Sequence, residues 1–346
     1  MTFQIVDKRS TGTRAAGKLW KSWASNSSPI FNKLTIFTSK LNKILINKRI
    51  ASRTVIPANP KVISIGNLSL GGSGKTPLAI KIASDLQETG LKVAILVRGY
   101  GSADAGPFIV GAENKNAGDE ALMIAQALPE AVVVQSRDRV QGYNQVKDIV
   151  DIVIIEDGFQ TAGLSRHIDI LILDKWDFQR GTPVPQIGNV MPWGPFRESI
   201  DAIDRADCLL VPAEDTQDTL PTDYNGIPIF SYSRDSILSL DDAGDYALIS
   251  GIANPEQFEK QCIRKLGRNP VASYRYDDHK AYSQADIGQI IDNHDNTETT
   301  WFTTAKDYVK LVGMWPDSVD IKVVDLQVKW LGTAQFNLSC TRKESN

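Results

Sequence analysis

The chain is poor in the residues that build metal clusters and disulfide frameworks. Its 346 residues hold three cysteines (Cys208, Cys262, Cys340) and three histidines (His167, His279, His294). An odd number of widely spaced cysteines with no CxxC pair excludes a zinc ribbon and a disulfide scaffold, and suits a reducing cytoplasm. No run of eighteen apolar residues occurs, so no transmembrane helix is expected. The first thirty residues lack an apolar core followed by a cleavage site, so no signal peptide is expected. Acidic residues are nearly missing near the N-terminus. Residues 1–53 carry eleven Lys/Arg and a single acid, Asp7, a net +10; the remainder carries 27 basic and 40 acidic groups, or −13. A basic arm on an acidic body implies a polyanion or an anionic membrane surface as its partner.

What is present describes a soluble globular protein, with 42% apolar and 23% charged residues over a length that suits two domains. Residues 1–28 read as a polar, Ser/Lys-rich arm. From Pro29, the residues Ile30, Leu34, Phe37, Leu41, Ile44 and Leu45 fall at helical spacing, with Lys33, Lys40, Lys43, Lys48 and Arg49 between them. Such a basic amphipathic helix either lies in a membrane interface, with Trp20 and Trp23 as headgroup-level anchors, or packs on the protein's own core.

Beyond Pro57 and Pro60, near-continuous β-branched runs alternate with helical patterns. The strands expected are Val62–Gly66, Val93–Arg98, Ala131–Gln135, Ile152–Ile155, Ile168–Asp174 and Cys208–Pro212. Helices are expected over Pro77–Glu88, Glu120–Leu128 and Arg139–Lys147. This alternation predicts a mainly parallel sheet covered on both faces. A polar stretch, 214–226, is the best hinge candidate. A second series follows: strands at Tyr246–Ser250, Val271–Tyr276, Thr300–Thr304 and Ile321–Val328, a helix at Pro255–Leu266, and a capping box at Ser283/Asp286 before Ile287–Ile291. The expected organisation is thus an N-terminal arm and helix (1–56), an α/β domain of P-loop type (57–225) and a smaller α/β domain (226–346).

The chemistry concentrates in "ISIGNLSLGGSGKTPLAIKIASDL", Ile63–Leu86. Ser69, Leu70, Gly71, Gly72, Ser73, Gly74, Lys75 and Thr76 fit a P-loop in which Ser69 takes the place of the usual first glycine. The glycines let backbone N–H groups turn towards phosphate oxygens, and the helix that follows adds its positive end. Lys75 reaches the β- and γ-phosphates of a nucleotide, and the Thr76 hydroxyl can bind Mg²⁺. In "VIIEDGFQ", Glu156 and Asp157 follow an apolar strand at its carboxyl end. They are either Mg²⁺ ligands or an ordinary acidic turn. Glu120 joins Thr76, Glu156 and Asp157 as a metal candidate. Asp119 opens a helical pattern as an N-cap, or accepts a proton from an attacking hydroxyl. Arg98 clamps phosphate or forms a structural ion pair. His279 is either a solvated loop histidine or an imidazole oriented by acid neighbours.

Together these pieces resemble the tetraacyldisaccharide 4′-kinases, the lipid A 4′-kinases of Gram-negative bacteria. The resemblance runs from about Ser28 to Leu311. It comprises "SIGNLSLGGSGKTP", "VRGYG", "GDEALMIA", "SRDRV", "VIIEDGFQ", "RHIDILILD", "GNVMPWGPFRE", "DDHKAY" and "TTAKDYVKL" in the family's order. It implies transfer of the ATP γ-phosphoryl group, with Mg²⁺, to the 4′-hydroxyl of an acylated glucosamine disaccharide 1-phosphate. That lipid would lie in the cytoplasmic face of the inner membrane, with the enzyme peripheral to it. Neither nucleic acid nor an obligate protein partner is implied. The resemblance makes Asp119 the base and His279 its partner, brought together by domain closure, with Lys75 and Arg98 offsetting charge. It assigns Arg197 and Glu198 of "WGPFRE" to shaping a pocket, and it favours the interfacial reading of residues 29–50. The sequence departs from the family at Glu156, where Asp is usual, at Thr161, where His is common, and at Ala121, where Pro is common. The competing readings are a P-loop regulatory ATPase and an inactive membrane-associated homologue.

Overall fold

The structure, a computed structural model, describes residues 4–10, 29–70, 74–111, 116–174, 176–179, 182–185, 190–191, 194, 196–213, 221–237, 244–293 and 299–331. Trp20, Trp23, Gly71, Gly72, Ser73, His294 and Cys340 lie outside the described residues. The chain divides into two compact units. The larger comprises residues 16–234 and 328–346, the smaller 1–15 and 235–327. The chain leaves the larger unit within the strand Ile227–Ile237 and returns within the strand Ile321–Trp330.

In the larger unit the strand that feeds the P-loop, Lys61–Asn67, is central. Ile152–Glu156 and then Val93–Val97, Val132–Gln135 and Phe108–Ile109 follow on one side. Ile168–Ile172, Cys208–Pro212 and Ile227–Ile237 follow on the other. Along this order the neighbouring strands pair in parallel except for the last short one, Phe108–Ile109 with Gln135 and Val134. The apolar runs form strands because both faces of this sheet are covered. Every residue of Val93–Val97 and Ile152–Glu156 is buried. Alternate side chains sort to opposite faces. Ile63 and Ile65 join a core with Leu78, Ile82 and Leu86 of the helix Lys75–Glu88, whereas Val62 packs with Leu96, Tyr143 and Val146.

The smaller unit is a parallel sheet in the order Gln4–Asp7, Ala272–Arg275, Tyr246–Ser250, Thr300–Thr304, Ile321–Trp330. Trp301 is buried at its centre, its ring 5.8 Å from Tyr274 and 5.5 Å from Trp315. The helix Pro255–Leu266 takes an Asn254 cap and ends on left-handed Gly267. Ser283 and Asp286 form the expected capping box before the helix Gln284–Asp292. The strand Gln4–Asp7 lies inside the segment expected to be a polar arm. It pairs with Ala272–Arg275, and Arg9 binds Asp7 at 2.7 Å and Glu256 at 2.9 Å. Of the hinge candidate 214–226, the described part enters a short hairpin. Asp223–Tyr224 pairs antiparallel with Ile227 and Pro228 through Asn225 and Gly226, both at positive φ.

The helix Pro29–Ala51 is continuous over 23 residues. Ile46 packs inward, Lys43 pairs with Asp201 at 3.0 Å, and the Asn42 amide donates to the Arg197 carbonyl. Most of its other described apolar side chains face outward. Ile36, Phe37, Leu41, Ile44 and Leu45 are 47–66% exposed. Among the described residues, no helix is long and apolar enough to cross a membrane.

Candidate active site

The P-loop region sits at the carboxyl ends of three parallel strands. Gly74 caps the helix Lys75–Glu88 in the left-handed region, φ 73°, where a side chain would be strained. A Cβ at this position would also come within 2.9 Å of the Arg234 guanidinium. Lys75 opens the helix, and its ammonium lies 3.5 Å from Asn67 Oδ1 and 3.6 Å from Asp157 Oδ1. Thr76 is buried, its hydroxyl 3.4 Å from Glu156 Oε1. Ser69 is buried too. It donates to Asp174 at 2.8 Å and accepts from Asn67 at 2.7 Å. Leu70 is half-buried beside it.

Glu156 ends its strand fully buried, and Asp157 turns the chain at φ 51°, a conformation uncommon for a residue with a side chain. Burial, followed by the charges of Glu120 and Asp157, pushes the Glu156 carboxyl up to about 8. Burial also works to raise Asp157, but Lys75 and Arg197 outweigh it and hold that carboxyl below its ordinary value. Arg197 Nη1 spans both Asp157 oxygens at 2.8 and 3.0 Å. The turn itself is held from below. Arg166 donates to the carbonyls of Gly158, Phe159 and Thr161, while its Nε bonds Asp169 at 3.0 Å. Arg139 is buried against the carbonyls of Ser136 and Glu156, and burial lowers its affinity for the proton to about 10.

These oxygens fit Mg²⁺ in kind: a hydroxyl and carboxylates, all hard donors. Among the described residues no three carboxylates, imidazoles or thiolates converge into a cage by themselves. That pattern suits Mg²⁺, which takes one or two carboxylates and completes its shell with phosphate and water. Glu120 is half-buried at the second position of the helix Asp119–Ala127 and acts on Glu156 through its charge.

Asp119 is not the N-cap expected from the sequence. Gly118, in extended conformation (φ −69°, ψ 155°), takes that position, and Asp119 is the first helical residue. Its half-buried carboxylate therefore sits at the positive end of a helix without closing it. Arg98 follows the strand Val93–Val97, exposed, with no hydrogen bond or ion pair among the described residues. Among the described residues the structural ion-pair alternative for it is not realised.

His279 belongs to the smaller unit and also has positive φ, 60°. Asp278 binds the His279 backbone N–H at 3.1 Å, but its carboxylate is 4.0 Å from the ring. The nearer group is Lys306, 3.2 Å from Nε2 and 2.7 Å from Asp278. An ammonium only donates, so in this contact Nε2 is the acceptor. Sequence reasoning expected acid neighbours here and missed the lysine. It also missed Arg234 and the bond between Arg197 and Asp157. The one available signal was that Lys306 and Arg197 stand inside quoted motifs.

A family model for the tetraacyldisaccharide-1-P 4′-kinases, LpxK, matches residues 29–342. The chain belongs to this family. The tetraacyldisaccharide 4′-kinase of Gluconobacter oxydans is 30% identical over 296 residues, covering 82% of this chain and 86% of that one. The enzyme of the same name from Bdellovibrio bacteriovorus is 32% identical over 299 residues, 79% and 86% of the two chains. Among solved structures, the "apo" form of LpxK from Aquifex aeolicus in complex with ATP is similar with a TM-score of 0.66 at 26% identity. It covers 87% of this chain and 93% of that one. This chain therefore has the P-loop kinase architecture of the LpxK family.

Proposed function

We propose that the protein is an ATP-dependent kinase. It phosphorylates the 4′-hydroxyl of a tetraacyldisaccharide 1-phosphate, the lipid on which the named relatives act. The observation that carries the reading is the family match over 29–342, supported by the meeting of Lys75 and Thr76 with Glu156 and Asp157. In the reaction the 4′-oxygen forms a bond to the γ-phosphorus while the bond to the β-bridging oxygen breaks, leaving ADP. Asp119 accepts the hydroxyl proton, and His279 acts with it. Lys75 and Arg98 offset the negative charge of the transferring group. Mg²⁺, when bound with the nucleotide, shields the phosphate charges; Thr76 and Asp157 would hold it, with Glu156 and Glu120 nearby. Arg197 fixes the Asp157 carboxylate for that task.

The lipid acceptor calls for contact with a membrane. The exposed apolar stripe from Ile36 to Leu45, flanked by Lys40, Lys43, Lys48 and Arg49, supports a peripheral association of the helix Pro29–Ala51 with an anionic bilayer. The cytoplasmic face of the inner membrane is the surface proposed, because ATP is found on that side.

The deciding experiment follows label from γ-labelled ATP into a tetraacyl disaccharide 1-phosphate in mixed micelles. Wild type is expected to label the lipid. Asp119→Ala is expected to lose about 100-fold or more of that rate, the scale of general-base catalysis. Steady phosphate release without labelled lipid would instead indicate a regulatory ATPase. ATP binding without either activity would indicate an inactive homologue.

A further inference from the structure

We propose that Gln135 is a positioning residue for phosphoryl transfer, acting through Asp119; this rests on reading Asp119 as the proton acceptor. Gln135 closes the strand Val132–Gln135 and is wholly buried. The valines before it form an apolar run, and a primary amide placed inside a protein is costly unless its groups find partners. Here they do. Oε1 accepts the Gly118 N–H at 2.7 Å, while Nε2 donates to the Asp104 carbonyl at 2.8 Å and the Ser102 hydroxyl at 3.0 Å. Ser102 in turn donates to the Asn116 carbonyl at 2.6 Å. One side chain thus joins the beginning and the end of the long segment between the Arg98 strand and the Asp119 helix.

The packing is as close as the hydrogen bonding. Gly99 has φ 67°, and a Cβ there would fall 2.2 Å from Gln135 Cδ. A Cβ on Gly118 would fall 3.2 Å from Gly99 Cα and 3.4 Å from Gln135 Oε1. Two glycines therefore rest on the amide, and each is the chain neighbour of a residue proposed to act in the reaction, Arg98 and Asp119. No side chain caps the helix Asp119–Ala127. Its start is instead fixed through the N–H of its cap residue, held by a neighbouring strand. An apolar side chain of the same length would fill the volume and release the helix start.

The test is steady-state kinetics with ATP and the lipid acceptor on Gln135→Met, Gln135→Glu and Ser102→Ala. Gln135→Met and Gln135→Glu are also built in the Asp119→Ala background. Displacing a catalytic group by a fraction of its length costs of the order of tenfold or more, so Gln135→Met is expected to lower kcat by about that factor. KM for ATP should stay within about twofold, because the P-loop is untouched. Gln135→Glu keeps the acceptor for Gly118 but loses the donor to the Asp104 carbonyl and the Ser102 hydroxyl, so it is expected to recover only part of kcat. Ser102→Ala, a milder cut in the same network, should lower kcat about two- to fivefold at unchanged KM. In the Asp119→Ala background, Gln135→Met should cost nothing further, since the group it positions is gone. Wild-type kcat in Gln135→Met, or an equal loss in both backgrounds, would overturn the proposal. If Gln135→Met does not fold, wild-type kcat in Ser102→Ala overturns it instead. Wild-type kcat in Asp119→Ala alone would remove the reading of Asp119, and this inference with it.

Discussion

Arg197 joins the two most informative motifs. It stands in "WGPFRE", yet its guanidinium spans the carboxylate of Asp157, forty positions earlier. Arg197→Met leaves Asp157 with Lys75 at 3.6 Å as its partner. Groups that orient a metal ligand typically contribute 10–100-fold to affinity or activity. Initial rates titrated with Mg²⁺ should therefore show a loss of about that size, with half-saturation moved to higher Mg²⁺. A loss that excess Mg²⁺ leaves unchanged in form, with the same half-saturation, would place Arg197 elsewhere in the reaction. Glu156 makes a second case. Its folded carboxyl titrates near 8, against 4.5 in an unfolded chain. The folded state thus binds the extra proton between those values. Its contribution to stability is complete below pH 4.5 and is lost as pH rises through 8. Urea unfolding without divalent cations should show stability falling over that window, and Glu156→Gln should flatten the fall. A wild-type profile already flat there would contradict the burial argument. At this scale the sequence made legible what is local: Lys75 and Thr76 are adjacent, and the acid pair lies at the end of one strand. Contacts such as Lys306 with His279, 27 positions apart, carry no periodic signal.

Elements were legible where one pattern persists over many residues. Cys208–Pro212, Tyr246–Ser250, Pro255–Leu266 and Thr300–Thr304 form over the span the sequence predicts, because burial on both faces or a capped amphipathic stripe specifies them locally. Short elements held by distant partners were not. Gln4–Asp7 exists as a strand through its pairing with Ala272–Arg275, and Phe108–Ile109 through Gln135 and Val134. The start of the helix at Asp119 was off by one position because a side chain from another strand fixes Gly118. The helix Pro29–Ala51 poses a question of partner rather than of existence. Leu41 and Ile44 are about half exposed, whereas Ile46 is buried. Leu41→Glu with Ile44→Glu should leave thermal stability nearly unchanged, within about 0.5 kcal/mol per exposed site. Each removes an apolar side chain worth about 1.5–3 kcal/mol on full burial, so sedimentation with anionic vesicles should weaken by at least tenfold. Ile46→Glu is the converse, destabilising because it places a carboxylate in a core. Undiminished vesicle binding in the double variant would exclude this helix as the membrane contact.

Each compact unit has buried clusters of its own, around Ile63 and Ile65 in the larger and around Trp301 in the smaller, and the chain passes between the units three times. Nucleotide contacts proposed through Lys75 and Thr76 belong to the larger unit alone. A ligand at 100 times its dissociation constant stabilises what it binds by about 2.7 kcal/mol. For a unit of this size each kcal/mol moves the midpoint by about 2–4 °C, so ATP with Mg²⁺ should raise one calorimetric transition by about 5–10 °C. The other transition should stay in place. Trp301→Phe assigns them, since it opens the aromatic cluster of the smaller unit and should lower only the transition that nucleotide leaves alone. Should nucleotide and Trp301→Phe move the same transition, the two units would be one cooperative system. Should nucleotide move the Trp301 transition alone, the phosphate site would lie in the smaller unit, against every contact described for Lys75.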